Sequence, residues 1–170
     1  MPKVNSEDLL FVSKSPKARL DSLAAGASLV SRTGREIKQL RAKAAVDRLQ
    51  LAVTFLKEAK SLYKGGLHLR RTVVSRGYYS MYHALRSAAF IHHGGDDHEQ
   101  HTVLPTKLPN DFPDRARWEN SLKSARLERN RADYDPYPRR DQEFEKAAQD
   151  VIADATELIA VARDYIRSRP

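Results

Sequence analysis

The sequence predicts an all-α domain, an antiparallel bundle of four to five helices. Apolar residues recur every three to four positions over four long stretches, which is the spacing of one buried helical face. No stretch shows the apolar–polar alternation that is typical of a strand. The connections between the stretches are short or moderate, so consecutive helices are expected to run antiparallel. With 170 residues, the chain is long enough to bury a core of ordinary size.

Residues 1–34 are predicted to be an N-terminal extension, and residues 35–170 to be the bundle. The extension should contain one short amphipathic helix at roughly 17–30, interrupted by Gly26 and closed by Gly34. Its apolar stripe either packs on the bundle as a short arm or waits for a partner.

Three of the long helices are bounded by clear signals. The first covers 35–64 and is followed by two glycines, and the second runs from about 68 to 93 before another glycine pair. The last helix is expected at 141–167, after a basic turn at 136–140.

The second of these helices carries polar and aromatic residues beside its apolar stripe. Gly77 lies in mid-helix, where glycine costs roughly 1 kcal/mol relative to alanine. Its presence indicates that another backbone packs closely there. Tyr79, Tyr82 and His83 flank the stripe. They are interpreted as residues at the edge of the core whose polar tips form hydrogen bonds, with stacking on a nucleic-acid base as the alternative.

Composition and charge narrow the possible functions. The chain has no cysteine, which excludes a disulfide framework, a thiol nucleophile and a zinc-finger site. No stretch approaches the ~20 apolar residues of a membrane span, and the N-terminus lacks the apolar core of a signal peptide. We therefore expect a soluble, cytoplasmic protein that does not contact a membrane. The net charge of +8 favours a polyanionic partner such as RNA or a nucleotide.

Histidines and aspartates gather around the connection at 94–112. A metal site needs ligands in a convergent, fixed geometry, whereas this spacing straddles a helix end, two glycines and a loop. We therefore predict no metal and no other cofactor, and we assign His98 or His101 to capping or to anchoring the loop. The residues of this group are His92, His93, Asp96, Asp97, His98 and His101.

The segment 113–138 is the most informative part of the chain. Its stripe residues recur at intervals of four, three, four and three, so they share one helical face, with an arginine where a core leucine is expected. An inward-facing guanidinium is costly to bury unless it is paired or reaches water through a cleft or an interface. The helix should stop at 133–136, because the residue before Pro136 is pushed out of helical geometry. The stripe consists of Trp118, Leu122, Ala125, Arg129 and Ala132.

Two pieces of this sequence, SRGYYSMYHALRSAAF at 75–90 and RNRADYDP at 129–136, together resemble the HEPN superfamily (higher eukaryote and prokaryote nucleotide-binding). The resemblance covers roughly residues 40–167. It implies a four- or five-helix bundle of HEPN type that usually dimerises, with two copies of an Arg-polar-x-x-x-His motif meeting in a cleft. Many members are metal-independent endoribonucleases of toxin–antitoxin and defence systems. Small prokaryotic members are commonly encoded beside a minimal nucleotidyltransferase.

The motif carries over to this chain with one departure. Arg129 matches the motif arginine and Asn130 the polar residue after it, whereas Tyr134 stands at the position of the histidine. In the family the arginine is expected to stabilise charge on the scissile phosphate, while the histidine acts on the 2′-hydroxyl or the leaving oxygen. A phenol is a poor general base at neutral pH, but it can donate a proton or orient a phosphate. We predict these three as catalytic residues. The predicted binding residues are Arg76, Tyr79, His83, Arg126, Arg131 and Asp133.

Three hypotheses follow for this segment. The chain is a homodimeric, ribonuclease-like toxin paired with a nucleotidyltransferase, in which Tyr134, His83 or His101 supplies proton transfer. Alternatively, it is a non-catalytic module that binds RNA or a nucleotide in the same basic cleft, or docks a nucleotidyltransferase. On the structural hypothesis, Arg129 is the ion-pair partner of an acidic residue: Asp133, Asp150 or Asp154.

Overall fold

The computed structural model describes residues 5–169, which form two compact units divided between Leu40 and Arg41. The described residues contain six α-helices and no strand, so the predicted all-α class is confirmed. None of these helices is both long and apolar enough to cross a membrane.

The first unit contains two helices, α1 (Ser6–Lys14) and α2 (Lys17–Thr33), where the sequence predicted one. The side chain of Asn5 caps the start of α1. Helix α2 continues through Gly26 because one glycine lowers helix propensity without breaking the helix, and it ends at the left-handed Gly34. Neither helix has a buried residue.

The second unit is built from four long helices joined by short 3-10 turns. Their bounds lie within a few residues of the predicted ones. The exception is the last helix, which begins later than predicted because the residues before it form a 3-10 turn at Asp141–Phe144. The helices are α3 (Ile37–Lys64, beginning in the first unit), α4 (Arg70–His93), α5 (Arg115–Tyr134) and α6 (Glu145–Arg167).

Helix α4 lies at the centre of this unit and packs against both α5 and α6. Small side chains line its contact with α3, where the hydroxyl of Ser80 donates a hydrogen bond of 2.9 Å to the carbonyl of Ala52. Ala84 and Ala88 on the same helix are fully buried. The largest fully buried side chains include Trp118, Tyr78, Phe144, Met81 and Leu85.

Gly77 lies where α4 packs against Val151 of α6. A Cβ atom at this position would lie 2.4 Å from Cγ1 of Val151. The sequence predicted a neighbouring backbone here, but the close neighbour is a side chain of α6. The missing Cβ therefore makes room for Val151, which is itself buried.

Arg71 connects the first turn of α4 to the end of α5. Its Nη1 donates hydrogen bonds to the carbonyls of Ala132 (2.8 Å) and Asp135 (2.9 Å), and its Nη2 donates to the carbonyl of Pro138. Its Nε lies 3.2 Å from the carboxylate of Asp141. Carbonyls at a helix C-terminus have no partner within the helix, so this guanidinium satisfies them from outside.

Candidate functional site

Arg129 lies near the end of α5, on the face that buries Trp118 and Leu122. Its side chain retains 18% of its accessible surface. The arginine is therefore mostly covered but still reaches solvent, which is the arrangement expected for a guanidinium on an apolar stripe.

Three neighbours hold the Arg129 guanidinium. Nη2 donates a hydrogen bond of 2.7 Å to the hydroxyl of Tyr79 on α4, and Nη1 donates one of 3.1 Å to the Oδ1 atom of Asn130. Nε is buried and lies 2.8 Å from the carboxylate of Asp133, although its N–H is not aligned for a hydrogen bond. These contacts fix the plane and position of the guanidinium before any ligand binds.

Two tyrosine rings flank the same guanidinium. Its Cζ atom lies 5.3 Å from the centre of the Tyr79 ring and 5.2 Å from that of Tyr134, which are distances of cation–π contact. Tyr134 is 70% exposed, so this side faces solvent. We call the set of Tyr79, Arg129, Asn130, Asp133 and Tyr134 the Arg129 site.

The structure also contains an ion pair of the kind that the structural hypothesis for Arg129 predicts. Its acidic neighbour is Asp133, one turn further along α5, whereas Asp150 pairs with Lys146. Because the Arg129–Asp133 pair is partly exposed, its contribution to stability should be about 1 kcal/mol or less. The pair therefore orients the guanidinium more than it stabilises the fold.

His101 approaches the site from the loop between α4 and α5. Its ring stacks on Tyr82 with 4.2 Å between ring centres, and its Nδ1 lies 2.6 Å from the hydroxyl of Tyr78. The rings of Tyr79 and His101 are edge-on with 6.1 Å between their centres, so the imidazole and Arg129 both contact this tyrosine.

The imidazole of His101 is expected to be neutral at pH 7. Desolvation, followed by the charges of Arg129 and Arg126, lowers the pKa of His101 below its ordinary value. Burial raises the pKa of the neighbouring Tyr78, so that hydroxyl keeps its proton. His101 is thus the histidine whose ring contacts the tyrosine that holds Arg129 and whose pKa the charge of Arg129 lowers.

His83 packs against Phe55 of α3. Its ring is parallel to that of Phe55, with 5.3 Å between the centres, and its Nδ1 is buried without a hydrogen-bond partner. Burial, followed by the charges of Arg86 and Arg48, lowers the pKa of His83 to about 4. This packing is that of a core-edge residue and makes His83 a poor candidate for proton transfer.

The other predicted binding arginines are spread around the Arg129 site. Arg76 lies 3.5 Å from Glu58 on α3. Arg131 places its guanidinium 5.2 Å from the ring of Phe144, away from the site. Arg126 stays close enough to His101 to influence its pKa, and its Nε is buried without a partner.

Replacing His83 by Phe is expected to reduce the loss of stability that the wild-type protein suffers in mild acid. Native His83 stays neutral down to about pH 4, whereas the unfolded chain is protonated near the ordinary value of 6.5. The unfolded state therefore binds more protons between these values, and wild-type stability falls as the pH falls through this window. Melting temperatures at pH 7.5 and pH 5 should differ less for His83→Phe than for wild type. An equal drop in both proteins would contradict the assigned pKa.

The remaining histidines anchor or border the loop. His93 contacts both His92 and His98 edge-on, but no three His, Asp or Glu side chains among residues 5–169 are grouped in a way that could hold a metal ion. Asp96 accepts hydrogen bonds from Arg48 and Arg86, which fastens the loop to α3 and α4.

Sequence reasoning missed parts of this site. Tyr78 lies on the apolar stripe of α4 and was not predicted as a site residue, yet its hydroxyl contacts His101. Phe55 was not singled out either, although Tyr79 and His83 both stack on it. The repeated tyrosines of α4 were the available signal. Nothing in the sequence indicated the long-range contacts of Arg71.

The fold and the site define an all-α domain in which an arginine on α5 is held by a tyrosine on the neighbouring helix α4. A HEPN-domain family model matches residues 45–165, so the chain belongs to the HEPN family. Neither a curated protein nor a solved structure matches the chain significantly.

Proposed function

We propose that this HEPN domain binds RNA at the Arg129 site and cleaves it without a metal ion, as the ribonuclease-like toxin of a toxin–antitoxin or defence module. One observation carries the proposal: the same tyrosine, Tyr79, accepts a hydrogen bond from Arg129 and contacts the ring of His101 edge-on. The lowered pKa of His101 favours its neutral form, which can accept a proton. A cation and a base are the two groups that cleavage of RNA by its own 2′-hydroxyl requires.

The proposed chemistry assigns one role to each group. The 2′-hydroxyl gives its proton to Nε2 of His101, whose Nδ1–H is donated to the hydroxyl of Tyr78. The 2′ oxygen then bonds to phosphorus while the bond to the 5′ oxygen breaks, leaving a 2′,3′-cyclic phosphate. Arg129 stabilises the negative charge on the phosphoryl oxygens. The departing 5′ oxygen takes a proton from the exposed hydroxyl of Tyr134 or from water.

The proposal includes a homodimer and a nucleotidyltransferase partner. Tyr134 and Leu127 are 70% and 63% exposed on α5, so the helix that carries Arg129 presents apolar surface to solvent. A second copy packed on this helix would bring two Arg129 sites into one basic cleft, as the family resemblance implies. The nucleotidyltransferase would be the protein with which this toxin is paired in the module.

The Arg129→Ala variant is expected to lose RNA cleavage while its free energy of unfolding changes by about 1 kcal/mol or less. End-labelled single-stranded RNA is incubated with each protein in excess chelator and read on a denaturing gel. Lys123→Ala is the matched control, because it removes one positive charge from an exposed pair on the same helix. It should cleave like wild type. Unfolding of Arg129→Ala would instead favour the structural hypothesis.

A non-catalytic binding module is the second candidate. It is favoured by Tyr134 at the motif position and by Asp133, which already partly neutralises Arg129. In that case RNA would stay intact with wild type, while its affinity for the protein would still fall steeply with salt because phosphate contacts release counterions.

A further inference from the structure

We propose that the turn after α5 is a second contact surface, which selects RNA whose bases are unpaired. This surface, the Tyr137 patch, consists of Tyr137, Arg139, Arg140 and His68. The inference rests on the proposed function and adds to it the strand state of the RNA. Of that function, the inference needs only the binding of RNA and not its cleavage.

Tyr137 presents its ring to solvent beside an arginine. The tyrosine is 61% exposed, and the Arg139 guanidinium lies 5.4 Å from its ring centre. Arg139 forms no ion pair within the described part of the chain, so its charge is available to a ligand. An exposed ring next to a free guanidinium provides one face for a base and one charge for its phosphate.

A depression of about 590 Å³ shares Arg139 with this surface. It is lined by Leu67, His68, Arg139, Arg140, Asp141 and Gln142. Its one carboxylate, that of Asp141, already lies 3.2 Å from Arg71. Arg140 lies 3.5 Å from Glu143, so Arg139 is the lining arginine without an ion pair among the described residues. Its positive charge suits a phosphate backbone.

The Tyr137 patch comes directly after the Arg129 site in the chain. Tyr134 and Tyr137 are three residues apart, so their Cα atoms are separated by about 11 Å at most. Both rings are exposed, and each has an arginine against it. One strand could therefore contact both positions with successive nucleotides.

The backbone that carries Tyr137 is held in place. Arg71 donates hydrogen bonds to the carbonyls of Asp135 and Pro138, on either side of this tyrosine. A ring on a fixed backbone loses little conformational entropy when a ligand binds.

Ring stacking requires bases that are not already stacked in a duplex. In double-stranded RNA the base faces are covered, and proteins contact mainly phosphates and 2′-hydroxyl groups. On single strands, the base faces are open to aromatic side chains. A surface that combines two exposed tyrosines with arginines should therefore prefer single-stranded RNA to the same sequence in a duplex.

The test measures fluorescence anisotropy of a labelled, 2′-O-methylated oligoribonucleotide, which cannot be cut because its attacking hydroxyls are blocked. The strand is used alone or annealed to its complement. Wild type should bind the single strand more tightly. Tyr137→Ala should weaken binding of the single strand by about tenfold and affect the duplex little, whereas Tyr137→Phe should bind like wild type because it keeps the ring. Arg139→Ala should also weaken binding of the single strand.

The outcomes separate this inference from the proposed function. If Arg129→Ala weakens RNA binding while Tyr137→Ala does not, the Tyr137 patch is not an RNA contact, and RNA binding at the Arg129 site stands. Equal affinity of wild type for the single strand and the duplex would also overturn the inference. Absence of RNA binding by folded wild-type protein would overturn both. Thermal unfolding checks that each variant is folded.

Discussion

Replacement of His101 by Gln is expected to slow RNA cleavage by about a hundredfold to ten-thousandfold, the usual contribution of a general base. Glutamine can keep a hydrogen bond to the Tyr78 hydroxyl but cannot accept the proton of the 2′-hydroxyl. RNA affinity should change little, because the Arg129 guanidinium keeps its contacts with Tyr79 and Asn130.

Single-turnover cleavage rates and equilibrium affinity, measured on the same RNA, test this assignment. His83→Phe is the matched control, since His83 stacks on Phe55 of α3 and is not among the neighbours that hold Arg129. It should cleave at the wild-type rate. A wild-type rate for His101→Gln would remove His101 from the mechanism and leave Tyr134 as the remaining candidate for proton transfer.

The Gly77→Ala substitution is expected to destabilise the fold by about 2–3 kcal/mol, near the upper end of typical overpacking costs. On helix propensity alone, this change would stabilise the protein by roughly 1 kcal/mol. The new Cβ would lie 2.4 Å from Cγ1 of Val151, a separation that packed atoms do not tolerate. Overpacking therefore outweighs propensity, and α4 and α6 must move apart.

The second variant of this test is Gly77→Ala combined with Val151→Ala. Denaturant unfolding should show the double variant to be more stable than the sum of the two single effects predicts, because the smaller residue 151 removes the clash. Additive effects would mean that the two positions do not contact each other. A Gly77→Ala protein more stable than wild type would contradict the close contact between position 77 and the side chain of Val151.

The sequence was sufficient to predict the bundle because its helices are amphipathic. The buried stripe of α4, including Val74, Tyr78, Met81 and Leu85, follows directly from helical spacing. The same spacing placed Arg129 on a buried face. Helix periodicity records only which face turns inward, so it could not identify the residue that the face meets. The Tyr79 hydroxyl that meets Arg129 is fifty positions away in the chain.

The site was predictable only where neighbours are close in sequence. Asn130, Asp133 and Tyr134 lie within about one and a half turns of Arg129, so their contacts follow from helix geometry. His101 could not be placed, because its position depends on a loop fastened by Asp96 and by stacking on Tyr82. The N-terminal helix α1 was missed because its residues show no clear apolar stripe.

The contacts of Arg71 have a mechanical consequence. One guanidinium binds the carbonyl of Ala132 inside α5 and that of Pro138 beyond it. The last turn of the helix and the turn after it are therefore tied to the same side chain, and Asp133, which contacts Arg129, is the residue next to Ala132. Loss of this one side chain should therefore loosen both the backbone beside the Arg129 site and the backbone that carries Tyr137.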